Sequence, residues 1–358
     1  RRGLQPRPEQ RFPDMPALLQ QLTRDPARTR RRWLAGAAAT LILLAGTWRI
    51  AERSAREADA CSGGALALAG DWNPDRRQAL AAALQGDPDP SLRARVLAGL
   101  DARAAAWLAG QRDACLDQRR GKQSSAVFDA RVRCLGRRRQ ALGRAVDILL
   151  TPGAAPDPLL LVARLPSVRA CADPDAAGAE ASATDDLALA QAGAELDARL
   201  IAARTLHHAG DERRARAAAE AVVTAARDGE LRPLLAEALL LLADISTTVG
   251  DVPRARELLA EAAPHALATG RDAIAAEALA RQLFLDGLLG EQARAEASAP
   301  LARAIAERLP APGPALARLD NNLGTLAHNA GDLPRARQHF ERATAELRRT
   351  PDADPLEL

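Results

Sequence analysis

One apolar run without charged residues constrains the fold of this chain more than any other feature. Residues 34–47 carry no charge, and Trp33 and Trp48 stand at the two ends of the run. Tryptophans in these positions are typical of a helix that ends at two membrane interfaces. Residues 33–51 can cross about 30 Å of hydrocarbon if the flanking Arg32 and Arg49 extend outward. We therefore predict a transmembrane helix over residues 33–51.

The distribution of arginine predicts the orientation of this helix. Five arginines lie within residues 24–32, and three lie within residues 49–56. The excess places the N-terminal side in the cytoplasm and everything after residue 51 outside it. A buried helix of a soluble protein is one alternative, but the run lacks an amphipathic pattern. A cleaved signal peptide is another, but its cleavage-like residues 58–60 lie too far beyond the apolar run.

Composition predicts an all-α protein. Aromatic residues make up 2% of the chain, and tyrosine is absent, so too few strand-favouring side chains remain for a large sheet. The formal net charge is +3, and arginines are scattered among carboxylates instead of forming one basic stripe. Nucleic acid is therefore not expected as a partner.

The four cysteines, Cys61, Cys115, Cys134 and Cys171, all fall on the expected outer side. Disulfides persist in an oxidising compartment, whereas zinc sites usually show closely spaced cysteines or nearby histidines, which are missing here. Apolar periodicity predicts two antiparallel helices over 92–116 and 127–150, with a turn centred near Ser124. Cys115 and Cys134 are each about ten residues from that centre. We expect Cys115 to pair with Cys134, and Cys61 with Cys171 by default.

A regular sequence repeat follows the cysteine region. A glycine before an acidic residue recurs at nearly constant spacing, and an alanine occupies the fifth position after each glycine. This self-similarity predicts a stacked solenoid of helical hairpins, in which glycine ends one helix, the acidic residue caps the next, and alanine lets the two helices approach closely. The glycines are Gly210, Gly250, Gly290 and Gly331, and the alanines are Ala215, Ala255, Ala295 and Ala336.

The glycine and alanine spacing resembles the tetratricopeptide repeat, lengthened beyond the roughly 34 residues that are usual for it. HEAT-like repeats have a similar period and are the alternative. The third unit is degenerate around Gln282 and Leu283, which predicts less regular stacking there. Such an array binds proteins or peptides on its concave surface. No metal site is expected from the five histidines, and Arg137, Arg138 and Arg139 are expected on the solvated side of a helix.

Within the N-terminal stub, residues 1–32, one segment resembles the last helix of the C-lobe of bacterial Ser/Thr protein kinases. The matching residues are Pro8, Arg11, Phe12, Pro13, Asp14, Met15 and Leu18. The resemblance implies a structural ion pair for Arg11, and Asp14 is expected to cap a short helix. A generic capped helix is the alternative.

The cysteine region resembles the periplasmic segment of myxobacterial-type Ser/Thr kinases, which run kinase, membrane helix, cysteine-containing segment and tetratricopeptide array. The residues that match are Cys61, Gly64, Leu68, Ala69, Gly70, Trp72, Trp107, Ala114, Cys115, Gln123, Ser124, Cys134 and Leu135. Lys122 departs from the pattern, in which an acidic residue usually precedes the Gln-Ser pair.

These features predict an all-α chain with one transmembrane helix, a disulfide-containing helical segment and a tetratricopeptide-like α-solenoid. Both ends resemble cuts, so we expect a fragment of a longer protein. The predicted parts are 1–23, the end of a kinase C-lobe; 24–32, a basic juxtamembrane segment; 33–51, the membrane helix; 52–185, the cysteine-containing segment; 186–349, about four repeats; and 350–358, the start of a further repeat.

The resemblance implies the outer sensor or interaction part of a membrane-spanning Ser/Thr kinase. The fragment itself is expected to have no catalytic, cofactor or metal site, while ATP and Mg²⁺ would serve the parent kinase. Proteins or peptides, the membrane and further copies of the chain are the expected partners. The alternative is a non-enzymatic, membrane-anchored scaffold.

Overall fold

The structure is a computed structural model that describes residues 5–10, 12–23, 26–86, 89–173 and 187–349. Within these ranges the regular elements are helices, and no strand occurs. The chain divides into two compact units, Arg1–Ala60 and Cys61–Leu358. The predicted all-α fold is confirmed.

The first unit contains two helices, α1 (Met15–Thr23) and α2 (Pro26–Ala60), after a 3₁₀ turn at Pro8–Gln10. Asp14 caps α1 as expected, because its Oδ1 atom accepts a 2.7 Å hydrogen bond from the backbone N–H of Ala17. Met15 and Leu19 of the predicted apolar face are exposed to solvent within this unit. Arg11 lies outside the described residues.

Helix α2 is long and apolar enough to span a membrane. The stretch Trp33–Arg53 has 21 residues with a mean hydropathy of 1.5, and none of its most apolar window is buried. At 1.5 Å per residue this stretch is about 32 Å long, which matches the hydrocarbon thickness. The hydroxyls of Thr40 and Thr47 donate to the carbonyls of Gly36 and Leu44, so both are satisfied inside the helix as a lipid environment requires.

The second unit begins with the cysteine-containing segment. Its helices are α3 (Gly64–Leu68), α4 (Pro74–Ala83), α5 (Pro90–Arg119), α6 (Ser125–Leu150) and α7 (Pro158–Ala163), with short 3₁₀ turns at Leu84–Gly86 and Arg169–Ala172. Helices α5 and α6 form the expected antiparallel hairpin, around the buried Trp107. The indole N–H of Trp107 donates to the Leu135 carbonyl at 2.7 Å, which fixes the level at which the two helices meet.

The two disulfides join Cys61 to Cys115 and Cys134 to Cys171, so the expected pairings of Cys115 with Cys134 and of Cys61 with Cys171 are both wrong. The reason is the direction in which each cysteine points from its helix. At the level of Cys115, the residue fully buried against the rest of the segment is Ala114, whose carbonyl accepts a hydrogen bond from Gln123. Each hairpin cysteine therefore bonds to a flanking segment, just before α3 or in the last 3₁₀ turn, instead of crossing the hairpin.

The repeats form four helical hairpins. The first helices are α8 (Leu187–His208), α10 (Arg232–Thr248), α12 (Asp272–Leu288) and α14 (Gly313–Asn329). The second helices are α9 (Glu212–Asp228), α11 (Val252–Ala268), α13 (Gln292–Ala306) and α15 (Leu333–Arg349). From α9 to α12, every helix has 17 residues. The turns between these four helices are also equal in length, which accounts for the constant spacing of the glycines.

The turn glycines adopt the conformation that the pattern predicts. Gly210, Gly250, Gly290 and Gly331 have φ angles of +82°, +84°, +78° and +78°. The backbone N–H of each following residue bonds to a carbonyl five residues back, which completes a Schellman turn. Asp211, Asp251 and Asp332 then cap the next helix through their side chains, whereas Glu291 does not.

The hairpins stack closely along their small residues. Ala215, Ala255, Ala295 and Ala336 are all buried. A Cβ atom on Gly287 would lie 1.8 Å from Leu326 Cδ2, so the side chain of Leu326 in the fourth hairpin packs directly on the backbone of α12. Leu283 is fully buried in α12, whereas the second helix of the same hairpin, α13, has 15 residues, contains Pro300 and lacks a side-chain cap. Helix α8 also packs on α6, which joins the cysteine segment to the repeats.

Gly250→Ala should lower the free energy of unfolding by about 1 kcal/mol, because a Cβ atom is strained at positive φ. No heavy atom lies within 4 Å of the added Cβ, so the effect isolates backbone strain. Urea unfolding of the complete chain in detergent measures it. The control is Gly136→Ala, inside α6, where the Cβ also meets nothing within 4 Å and alanine should be neutral or stabilising. Equal effects at the two positions would contradict the turn geometry.

Candidate protein-interaction surface

The last helix, α15, leaves one face exposed beside α14, and we call this surface the α15 groove. Leu333, Phe340 and Thr344 lie along it at helical spacing, and charged side chains border them. Ala343, which does not line the groove, is buried where α15 packs in its hairpin. The groove is lined by His328, Leu333, Ala336, Arg337, Phe340, Glu341, Thr344, Ala345, Arg348 and Arg349.

In helix α11, the face equivalent to the groove is buried. Gly250 and Gly331 are equivalent turn positions, so Leu259 of α11 corresponds to Phe340 of α15, and Ala263 corresponds to Thr344. Leu259 is 1% exposed and Ala263 is 4% exposed, because α11 packs against both α10 and α12. In α15, Phe340 is only partly buried and Thr344 is exposed. In α11 the equivalent face is buried by neighbouring helices. Among the described residues, no helix covers this face in α15.

The groove has a rigid floor. A Cβ atom on Gly324 would lie 2.7 Å from the Phe340 ring, so this ring sits directly on the backbone of α14. On the other side of α15, His339 Nδ1 is 2.8 Å from Asp320 Oδ1, which also accepts hydrogen bonds from Arg303 and Arg342. Burial alone would raise the pKa of Asp320, but these three partners outweigh it and lower the pKa.

A buried carboxylate on α10, Glu237, holds the cysteine segment against the repeats. Its oxygens accept 2.6 Å hydrogen bonds from Arg137 of α6 and from Arg271 at the start of α12, and Arg204 of α8 lies 3.8 Å away. Burial alone would raise the pKa of Glu237, but the charges of Arg137, Arg271 and Arg204 lower it to about 2. Four helices therefore meet at one ionised group.

The expectation that Arg137, Arg138 and Arg139 face solvent is wrong. Arg137 bonds to Glu237, Arg138 donates to the Ser167 carbonyl at 3.1 Å, and Arg139 pairs with Asp71 at 3.0 Å. All three bind partners far away in sequence. A run of consecutive arginines gives no local signal of such partners.

A second set of ion pairs runs through the first helices of the hairpins. His207 Nδ1 is 2.7 Å from Glu212 Oε2 of α9, and its Nε2 is 3.4 Å from Asp244 Oδ2 of α10. Arg281 of α12 pairs with Asp244 at 2.8 Å. Glu277 of α12 then accepts from both Arg281 and, across the next hairpin, Arg318 of α14.

His207 lies between two carboxylates inside this set. Burial alone would lower its pKa, but the hydrogen bonds and charges of Asp244 and Glu212 outweigh burial and raise the pKa. The neighbouring His208 behaves oppositely: burial first, and then the charges of Arg204, His207 and Arg164, lower its pKa to about 3. Two adjacent histidines thus titrate in different ranges of pH.

The residues singled out from the sequence do not converge on one site. The four glycines lie at separate turns and the cysteines in two bridges. In the part of the chain that the structure describes, no group of three or more His, Cys, Asp or Glu side chains could hold a metal ion. The groove was missed, although the correspondence of Phe340 with Leu259 was available from the repeat spacing.

Comparison with known proteins adds no assignment. No protein-family model matches this chain, and no curated protein matches it significantly.

Glu237→Gln should lower the free energy of unfolding by about 3 kcal/mol, because the neutral amide removes the charge that Arg137 and Arg271 bind in the interior. The matched control is Glu257→Gln, since Glu257 is exposed and pairs with Arg254 at 3.0 Å on the surface of α11. That change should cost no more than about 0.5 kcal/mol. Urea unfolding at neutral pH compares the two, and equal losses would show that Glu237 contributes no buried ion pair.

The stabilisation from His207 should depend on pH. Since the folded-state pKa of His207 is raised above 6.5, its contribution is complete below about pH 6.5 and is lost as the pH rises through the folded value. The difference in melting temperature between the natural chain and His207→Gln should therefore shrink from pH 6 to pH 9. A difference that grows with pH would refute the paired geometry of His207.

Proposed function

We propose that this chain is the membrane-anchored, extracytoplasmic interaction module of a bacterial Ser/Thr protein kinase. The observation that carries the proposal is the order of parts: an apolar helix able to span a membrane, followed by a separate compact unit with two disulfides and stacked helical hairpins. Stacked helical hairpins are suited to binding other proteins.

The disulfides support an extracytoplasmic location for the second unit. All four cysteines are paired, three of them are buried, and disulfides of this kind persist in oxidising compartments. The arginine excess before Trp33 agrees with the same orientation.

The kinase assignment rests on the stub and on the resemblance of the cysteine segment. The capped α1 and its exposed Met15 and Leu19 fit a helix that packs against a larger domain. In such a parent, ATP and Mg²⁺ would serve phosphoryl transfer in the cytoplasm. Association of the outer modules would bring kinase domains together, which gives the signal a route across the membrane. The repeats would then be of the tetratricopeptide type.

A non-enzymatic anchored scaffold is the second candidate. The membrane helix, disulfides and hairpins suit it equally well, since they describe anchoring and binding without chemistry. The two candidates differ only in what the cytoplasmic side carries.

The location is tested by trapping thiols in intact cells that express the chain. After denaturation without reductant, the four cysteines should resist alkylation by a maleimide. The matched control lacks residues 33–51, stays in the cytoplasm and should be alkylated at all four positions. Alkylation of the anchored chain to the same extent would place its second unit inside the cell.

The kinase assignment is tested on the complete gene and its product. We expect the reading frame before Arg1 to encode a His-Arg-Asp loop and an Asp-Phe-Gly motif. Phosphorylation by the complete protein in membranes should also depend on residues 61–349. If the motifs are missing, the scaffold candidate stands; equal phosphorylation with and without the outer residues would exclude a sensor role.

A further inference from the structure

We propose that four arginines at the start of α2 form a binding site for the headgroups of anionic phospholipids. The four are Arg28, Arg30, Arg31 and Arg32, which lie directly before Trp33, and we call them the arginine collar. The inference rests on the membrane anchor of the proposed function and adds a class of ligand to it. An excess of arginine on one side sets only the orientation of the helix, whereas the collar also selects which lipids surround it.

The collar is a direct continuation of the membrane helix. Helix α2 is unbroken from Pro26, and Trp33, the first residue of the apolar stretch, is 77% exposed. At 1.5 Å per residue, residues 28–32 cover about 6 Å along the helix axis. The headgroup layer on each side of the hydrocarbon is about 5–7 Å thick. When Trp33 lies at the membrane interface, the whole collar therefore lies in the headgroup layer.

The charge of the collar is not balanced within its own segment. Residues 26–32 contain four arginines and no carboxylate, and the wider stretch 24–32 contains five arginines and one aspartate. Arg30 and Arg31 are exposed, and neither forms an ion pair with another described residue. Both guanidinium groups are therefore available to an external anion.

The other end of the membrane helix differs in charge. Residues 49–60 match three arginines with three carboxylates, and one of these arginines, Arg56, pairs with Glu52 one helical turn away. Trp48 stands at this end as Trp33 does at the first, and it is 68% exposed. The two ends of α2 thus combine the same interfacial residue with different net charge, so only the collar end should attract anionic headgroups.

The distribution of the arginines favours a lipid layer over one face of a protein as the ligand. Successive residues of a helix are rotated by about 100°, so the four collar positions are spread around the helix axis instead of forming one stripe. A partner protein contacts one side of a helix, whereas headgroups surround it. Each guanidinium can donate two parallel hydrogen bonds to a phosphate group. Anionic headgroups therefore match both the position and the chemistry of the collar.

The two tryptophans of α2 allow both ends of the helix to be measured in one protein. Trp33 and Trp48 are about 22 Å apart by helix rise, and a brominated acyl chain quenches only a tryptophan that it contacts. The complete chain is placed in vesicles of phosphatidylcholine and phosphatidylglycerol, with one of the two lipids brominated in turn. Trp48→Phe reports the collar end, and Trp33→Phe reports the other end. Trp72 and Trp107 are buried in the second unit and give the same background in both variants.

We expect phosphatidylglycerol to be preferred about fivefold at Trp33, the equivalent of about 1 kcal/mol for one arginine at an anionic surface, and not to be preferred at Trp48. Replacing all four collar arginines with glutamine retains good helix formers and should bring the ratio at Trp33 to about one. The matched control is Arg49→Gln with Arg53→Gln, which should leave the ratio at Trp33 unchanged. NaCl at about 0.5 M should lower this ratio, because salt screens exposed charges.

Equal ratios at Trp33 and Trp48 would overturn the headgroup site, and so would a preference at Trp33 that survives replacement of the collar. A preference that inorganic phosphate removes, but NaCl of the same ionic strength does not, would make the ligand a free anion. If neither lipid quenches Trp33, the membrane anchor fails, and the proposed function fails with it. Quenching without preference, while all four thiols remain protected in cells, would remove only the lipid site and leave the anchored-module proposal intact.

Discussion

The ion pairs around Glu237 hold the second unit together as one body. Solenoids usually gain stability only from neighbouring repeats, because each hairpin touches the next and little else. Here one buried carboxylate on α10 bonds to arginines of α6 and α12 and lies close to one of α8. Since breaking a buried ion pair is strongly destabilising, separating α6 of the cysteine segment from the repeats would cost the contact between Arg137 and Glu237. The two segments are thereby coupled.

The sequence predicted features whose cause is local. A left-handed turn needs glycine, a helix start needs an acceptor, and close helices need alanine, so the spacing of Gly210, Gly250, Gly290 and Gly331 was enough to place four hairpins. The membrane helix was predictable for the same reason, since length and the absence of charge are properties of the segment alone.

Features that depend on distant partners were not predictable. Cys115 and Cys134 lie at the same level of their hairpin, which suggested a disulfide between them. The direction in which each cysteine points depends on the segments that pack against its helix, and both cysteines bond to flanking segments. Arg137 looked like a solvated arginine because its partner, Glu237, is 100 residues away. The α15 groove was hidden for a related reason: Phe340 fits the repeat pattern, and only its exposure relative to Leu259 marks a surface.

The two layers of the hairpins also differ in charge, which bears on how the hairpins stack. Neutral or acidic first helices alternate with neutral or basic second helices, so ion pairs such as that between Arg303 of α13 and Asp320 of α14 connect successive hairpins. Such pairs favour one packing order of the hairpins, because a hairpin stacked in another order would leave these charges unmatched.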